Sequence, residues 1–157
     1  MPATNTYTAL ATLTLTGTDA SIDFANIPNT YRDLILICSA TASSGQDILI
    51  KLNTDASNFS RQYAYGPGSG TNANADSSNG MGVVRTSASN SIIQFMDYSA
   101  TDKQKIIISR LNGASDYGVA MVSGRWASTT AINAISVYLA SGTFSIGSTF
   151  SLYGIAS

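Results

Sequence analysis

The sequence predicts an all-β fold, an antiparallel β-sandwich of jelly-roll type with about ten short strands, and three observations lead to this prediction. Good helix formers are scarce, because all nine acidic residues are Asp and only eight residues are Lys or Arg. Apolar residues recur with a period of two in many short segments. Clusters of Ser, Gly, Asn and Asp separate these segments at the spacing that is typical of sandwiches and jelly rolls.

Four strands are predicted in the first third of the chain. Residues 7–15 place apolar side chains at odd positions and threonines at most even ones, which is the pattern of a half-buried strand. A short strand at 21–24 leads into a turn at Pro28, which has no amide proton to donate. Residues 33–40 and 47–53 are predicted to be two buried strands that pair as a hairpin across a small polar loop.

The rest of the chain continues the same pattern. Further strands are predicted at residues 59–65, 81–86, 91–98, 104–111, 118–127, 132–140 and 148–155. Residues 66–80 are predicted to form the longest loop, and one helical turn is predicted near residues 100–103. No linker or fixed repeat divides the sequence, so residues 1–157 are predicted to form a single β-sandwich domain.

The charge of the chain argues against nucleic acid and membrane partners. The net charge is -1, and the basic residues are scattered rather than clustered, so no electrostatic footprint for nucleic acid or anionic lipid is visible. No segment approaches the roughly 20 apolar residues of a membrane span. Charged residues make up 11% of the chain, against about 25% in an average domain, which suits a protein packed within an assembly.

The residue types argue against catalysis. The chain has no His, which removes Ser-His-Asp and Cys-His nucleophile pairs, imidazole acid-base chemistry and most zinc sites. None of the Asp residues is marked by its neighbours as a raised-pKa acid. The only cysteine, Cys38, lies in the apolar run at residues 34–38 and is predicted to be an inert core residue. We therefore expect no enzymatic activity, no cofactor and no metal.

Asn53, Asp55 and Asn58 place three oxygen donors within six residues. Hard cations such as Ca²⁺ take ligands of this type. The same residues are also common in hairpin turns, where their side chains accept backbone hydrogen bonds. The stretch has no second acidic residue, so the turn is the favoured interpretation.

Glycines at 66, 68 and 70 resemble a phosphate-binding loop only superficially, because no Gly-Lys-Ser/Thr follows them. A flexible surface loop with a contact role is the favoured interpretation. Trp126, next to Arg125, is the only tryptophan. It is predicted to fill the core, although on an outer surface it would be an interface anchor or a platform for stacking sugars.

Three stretches of the sequence carry a family resemblance when they are read together. The first is 7–36, with the core Ala-Ser-Ile-Asp-Phe-Ala-Asn-Ile-Pro-Asn-Thr-Tyr-Arg-Asp-Leu; the second is 52–60; the third is the end, Gly-Ser-Thr-Phe-Ser-Leu-Tyr-Gly-Ile at 147–155. They resemble a family of small structural proteins of tailed bacteriophages that open with Phe-x-x-Ile-Pro-x-x-Tyr-x-Asp-Leu and close with Ser/Thr-Leu-Tyr-Gly-Ile. Residues 124–126 and 131–135 are similar to the family's penultimate region, and only residues 66–91 depart from the pattern.

The resemblance implies a jelly-roll virion protein that forms a homotrimer and carries no catalytic residues. Members of the family are variously head decorations, tail-fibre parts or virion proteins without an assigned role. The first hypothesis for this chain is a capsid decoration, or cement, protein on the outer surface of the head, in contact with the major capsid protein. The head is favoured over the tail because the chain shows neither coiled-coil heptads nor a shaft repeat, which fibres usually need. The alternative is a tail-fibre or tail-tip module that recognises host polysaccharide through exposed aromatic side chains.

Candidate contacts with partners are predicted in three places. The N-terminal segment and the long loop are the first two, and the Arg-Trp pair is the third. The candidate residues are Pro2, Thr4, Tyr7, Pro67, Asn72, Asn74, Arg125 and Trp126.

Overall fold

A computed structural model describes residues 6–66, 68–77, 81–113 and 118–156 of the chain, with their side chains except at 44–46 and 81–87. These residues form ten β-strands and no helix. The strands are β1 (Tyr7–Thr14), β2 (Ser21–Phe24), β3 (Asp33–Leu52), β4 (Phe59–Gly66), β5 (Asn72–Asp76), β6 (Met81–Phe95), β7 (Lys105–Gly113), β8 (Val119–Trp126), β9 (Ile135–Leu139) and β10 (Thr149–Ile155). The all-β prediction is therefore confirmed.

The strands pair in two antiparallel sheets that share β3. The large sheet has eight strands in the order β1-β10-β3-β6-β7-β8-β4-β5. The small sheet has three strands, in which β9 lies between β2 and β3. Every pairing between the strands is antiparallel.

The pairing order is that of a jelly roll, because β3 and β6 each contribute to both layers. Residues 33–41 of β3 lie between β10 and residues 88–95 of β6. Residues 46–52 of β3 lie between β9 and residues 81–86 of β6. The two resulting four-strand arrangements, β1-β10-β3-β6 and β2-β9-β3-β6, are the two sheets of a jelly roll. Strands β7, β8, β4 and β5 extend the first of them.

Alternating side chains place the core between the two layers. In β3 the even-numbered residues from Leu34 to Ala42 and from Ile48 to Leu52 are buried. The same face of the strand therefore points inward both in the part that pairs with β10 and in the part that pairs with β9. Buried side chains from both sheets form a hydrophobic cluster. Phe144 and Phe150 meet in it edge to face, with ring centroids 5.0 Å apart.

The predicted hairpin between residues 33–40 and 47–53 is wrong, because these residues belong to one 20-residue strand, β3. The segment between them has small residues, and two of these, Ala40 and Ala42, point into the core. Small side chains let the strand bend from one sheet to the other without reversing direction. Each half then pairs with a different set of neighbours rather than with the other half.

Two further predictions are corrected in the same way. The predicted strands at 81–86 and 91–98 are one strand, β6, in which Ser89 and Ser91 face inward and continue the alternation through a polar stretch. The loop predicted at 66–80 contains strand β5, which pairs along β4 at the edge of the large sheet. Polar composition alone was the basis of both errors, since neither segment contains the apolar residues that signal a strand.

The predicted turn at Pro28 is present and is held by a buried tyrosine. The Tyr98 hydroxyl donates a hydrogen bond to the Pro28 carbonyl, and the Ile27 amide donates to the Asn133 carbonyl at 2.9 Å. The helical turn expected near residues 100–103 is not helical; the chain instead makes a turn just before it, closed by the Ala100 amide on the Asp97 carbonyl. Within the described ranges, no helix is long and apolar enough to cross a membrane.

Candidate functional site

The outward side of the large sheet carries a row of exposed residues that runs across six strands. We call it the outer row. In register, from β3 to β5, it consists of Ile37, Ile92, Arg110, Met121, Ala64 and Ala73. All six residues are exposed, and Met121 is 60% exposed. The row exists because β3, β6, β7 and β8 carry aliphatic residues on both faces, rather than only on the face that packs in the core.

Neighbouring positions on the same face enlarge the apolar surface. Val119 on β8 is 65% exposed, and Ile106 on β7 is 44% exposed. Ile108 is half-buried and lines an open groove of about 700 Å³ together with Met121 and the alanines of β4 and β5. Contiguous exposed apolar surface of this kind is typical of interaction sites, whereas single exposed apolar residues are ordinary.

Two arginines stand on this face. Arg110 is opposite Met121 in the β7–β8 register, and Arg125 is opposite Ile106. Both side chains are exposed, and neither makes a hydrogen bond or an ion pair with any described residue. The other outward positions of β7 and β8 are aliphatic, Ser or Asn, so no carboxylate accompanies the two guanidinium groups there.

The remaining described cations with resolved side chains have partners. Arg61 binds Asp76 through two hydrogen bonds of 2.8 and 3.0 Å, and Lys105, although buried, donates to the Lys103 and Thr129 carbonyls. Three more contacts account for the others: Arg32 with Asp33 at 3.1 Å, Lys103 with Asp97 at 3.5 Å, and Lys51 over the Tyr138 ring at 4.5 Å from its centroid. Among the described cations with resolved side chains, Arg110 and Arg125 are thus the two that have no partner in the fold.

The oxygen-rich stretch after β3 forms a turn that is held by its own side chains. The Asp55 carboxylate accepts hydrogen bonds from the Ser57 amide at 2.8 Å, the Asn58 amide group at 2.7 Å and the Trp126 indole at 2.8 Å. These bonds, led by the one from Ser57, hold the pKa of Asp55 well below its ordinary value. The turn interpretation therefore describes this stretch.

Asn53 also uses its polar atoms within the fold. Its side-chain oxygen accepts hydrogen bonds from the Asn133 and Ala134 amides at 2.9 and 3.2 Å, and its amide group donates to the Ala131 carbonyl. Its φ of 56° lies in the left-handed region that Asn tolerates. Across the described ranges, no three His, Cys, Asp or Glu side chains lie close enough together to hold a metal ion.

The structure separates the predicted contact residues. Tyr7 is 58% exposed on β1, at one end of the strand order of the large sheet. Asn72 and Asn74 are exposed on β5, at the other end. Arg125 is exposed on the outward face between them. Pro2, Thr4 and Pro67 lie outside the described residues.

Trp126 must be removed from the candidate contacts. It is only 2% exposed, stacks near Phe59 with ring centroids 6.5 Å apart, and donates its indole proton to Asp55. The core interpretation of Trp126 is confirmed. The alternation of β8 explains the difference between the two neighbours, since consecutive residues of a strand point to opposite faces.

Cys38 lies in the core, as the sequence predicts. Its side chain is fully buried, and burial raises the pKa of its thiol to about 12, an effect that the nearby Ser91 hydroxyl only partly offsets. The thiolate form, which is the reactive one, is therefore suppressed at neutral pH.

Gly66, at the end of β4, lies close to the backbone of Gly70. A Cβ on Gly66 would lie 2.6 Å from the Gly70 carbonyl oxygen. The segment leads into β5 rather than into a helix, so the arrangement that cradles a phosphate at a helix N-terminus is not formed there.

Sequence reasoning missed the outer row. The available signal was the unbroken apolar run Ile106-Ile107-Ile108 in β7 and the apolar residues at both odd and even positions of β8. Such runs are usually assigned to strands buried on both faces. In this fold the described residues cover only one face of β7 and one face of β8.

Comparison with models of protein families, with curated proteins and with solved structures finds no match to this chain.

Proposed function

We propose that the protein is a structural component of a tailed-phage virion: a decoration protein on the outer surface of the head that binds the major capsid protein. It acts mechanically, without a cofactor and without catalysis. By covering joints between capsid subunits, it adds buried interface area to the shell and resists the internal pressure of the packaged DNA. The phage context comes from the sequence resemblance, and the docking role comes from the geometry of the outer row.

The single observation that carries the docking role is the outer row on a rigid antiparallel sheet. Five strand spacings across the row correspond to about 24 Å, and the nine residues of β7 extend about 30 Å. The product, about 700 Å², is close to the roughly 800 Å² that each partner contributes to an interface of standard size. The face is therefore large enough for stable docking without rearrangement of the fold.

The distribution of aromatic side chains favours protein docking over polysaccharide recognition. Stacking on sugar rings needs exposed aromatic faces. Among the described aromatic residues, Tyr7 is the only one that is strongly exposed, and it lies on β1, away from the outer row. Five of the six residues of the outer row are apolar, and the sixth is Arg110, which suits contact with another protein.

The proposal includes a homotrimer, which follows from the sequence resemblance. In a trimer, three outward faces would contact neighbouring capsid subunits at once. The gain in affinity from such multivalent attachment requires no additional contact within each copy. Sedimentation of the purified protein measures this part of the proposal independently.

The copy number per particle tests the proposed function. Purified virions are analysed by quantitative mass spectrometry, with the major capsid protein as the internal reference. A decoration protein is expected at one copy per capsid subunit or at a fixed simple fraction of that number. A few copies per virion would contradict decoration and would support the tail-tip alternative.

A further inference from the structure

We propose that the outward face of the large sheet binds a protein surface on which carboxylate groups stand among aliphatic side chains, and that Arg110 and Arg125 make the charged contacts. This inference rests on the proposed function for the use of this face. It goes further by naming the chemistry of the partner.

On the outward face, each of the two arginines lies beside an exposed apolar side chain. Arg110 is directly opposite Met121, and Arg125 is directly opposite Ile106. Each guanidinium group therefore has an exposed aliphatic neighbour on the adjacent strand. The two arginine positions are four residues apart in register, which is about 14 Å along the strands. A partner must present two separated negative groups with apolar surface around them.

The two arginines have no negatively charged partner among the described residues of the fold. Arg110 and Arg125 have no described partner, whereas the other described cations with resolved side chains are paired. Arginine is enriched at interfaces because its planar fork binds carboxylates in a fixed geometry and is less strongly hydrated than lysine. No described carboxylate stands on the outward positions of β7 and β8, so a partner that presents carboxylates would complement the two arginines.

The exposed aliphatic side chains favour a protein partner over an anionic polysaccharide. Met121 and Ile106 are 60% and 44% exposed, and a partner that leaves them in water gains little from this face. A polyuronate chain supplies carboxylates but no aliphatic side chains. A protein surface supplies both, so it matches the whole face.

The experiment uses the full-length protein and soluble fluorescent peptides in which leucine alternates with glutamate, glutamine or lysine. Binding is measured by fluorescence anisotropy. We expect the leucine–glutamate peptide to bind about tenfold more tightly than the glutamine peptide, and the lysine peptide to bind most weakly. The double variant Arg110→Gln, Arg125→Gln should remove the preference for glutamate. Lys51→Gln, which changes a cation on the small sheet, is the matched control and should leave binding unchanged.

Four results would overturn the inference. The first is equal binding of the glutamate and glutamine peptides, and the second is a preference for glutamate that survives in the double arginine variant. The third is tighter, arginine-dependent binding of polygalacturonate, which would identify a polysaccharide site. The fourth is self-association of the protein that is lost in the double variant, since the occupant would then be a second copy. No virion enters these titrations, so their failure is distinct from failure of the copy-number test.

Discussion

Replacing Asp55 by Ala should destabilise the protein by more than a typical surface substitution, although Asp55 lies in a turn. The carboxylate accepts hydrogen bonds from Ser57, Asn58 and the indole of Trp126. The indole belongs to a side chain that is only 2% exposed. Removal of the carboxylate leaves this buried donor without its partner and also loosens the turn between β3 and β4.

The magnitude follows from these contacts. Leaving a buried donor unsatisfied costs about 1–3 kcal/mol. Losing the exposed turn bonds adds about 1 kcal/mol, as for other side chains that satisfy backbone amides. We therefore expect Asp55→Ala to lower the free energy of unfolding by about 3 kcal/mol. Asp23→Ala is the control, because Asp23 is exposed on β2 without a described partner, and its loss should cost less than about 0.5 kcal/mol.

Urea unfolding followed by circular dichroism measures both variants. A double-mutant cycle with Trp126→Phe, which keeps an aromatic ring but removes the indole donor, should give a coupling free energy of about 1–2 kcal/mol with Asp55→Ala. Equal stabilities of the Asp55 and Asp23 variants, or a coupling free energy near zero, would refute the reasoning.

The same carboxylate should make stability depend on pH. The pKa of Asp55 is lower in the folded protein than its ordinary value of 3.8, so the unfolded chain binds the proton first as the pH falls. The stabilisation is complete above the ordinary pKa and is lost progressively below it, towards the folded pKa. The difference in unfolding free energy between the wild type and Asp55→Ala should therefore shrink below about pH 4.

Three further predictions test the fold. Met121→Asp should change the free energy of unfolding by less than about 0.5 kcal/mol, while Val122→Asp, one residue along and only 1% exposed, should prevent stable folding in thermal melts. Cys38 should resist a disulfide-exchange reagent in the native protein and react only in urea; fast native labelling would contradict its burial. Gly154→Ala should cost about 1–3 kcal/mol, because its Cβ would lie 2.4 Å from the Tyr31 ring, and Tyr31→Leu should reduce that cost.

The strands that the sequence predicts best are those in which one face is apolar and the other polar. In β1 and β10, alternation locates the strand, and both are close to their predicted positions. The predicted buried face of β1 is wrong in part, because Tyr7, Ala9 and Leu13 are exposed and the register with β10 shifts between Ala9 and Ala11. The long strands β3 and β6 were divided because their middle residues are small or polar. Whether such a segment turns back or continues depends on which strands are available to pair with it, and that information is not local.

The residues of the candidate site could not be predicted from local sequence either. The residues of the outer row come from six strands between positions 37 and 121, and only the register brings them into line. Arg125 and Trp126 are both candidate contacts in the sequence, although the core is the favoured interpretation of Trp126. The fold places one in the core and the other on the outward face. Composition shows that the chain has no His, but it could not locate the outer row.

Rebinding of purified protein to phage particles that lack it tests most directly whether the protein docks on the capsid through the outer row. Particles are incubated with wild-type protein or with Met121→Asp, a substitution at an exposed position of the outer row. Bound copies are then counted after sedimentation. The account predicts that the wild type saturates at a fixed ratio to the major capsid protein, while the folded variant binds weakly or not at all. Rebinding of the variant at the wild-type copy number would contradict docking through the outer row.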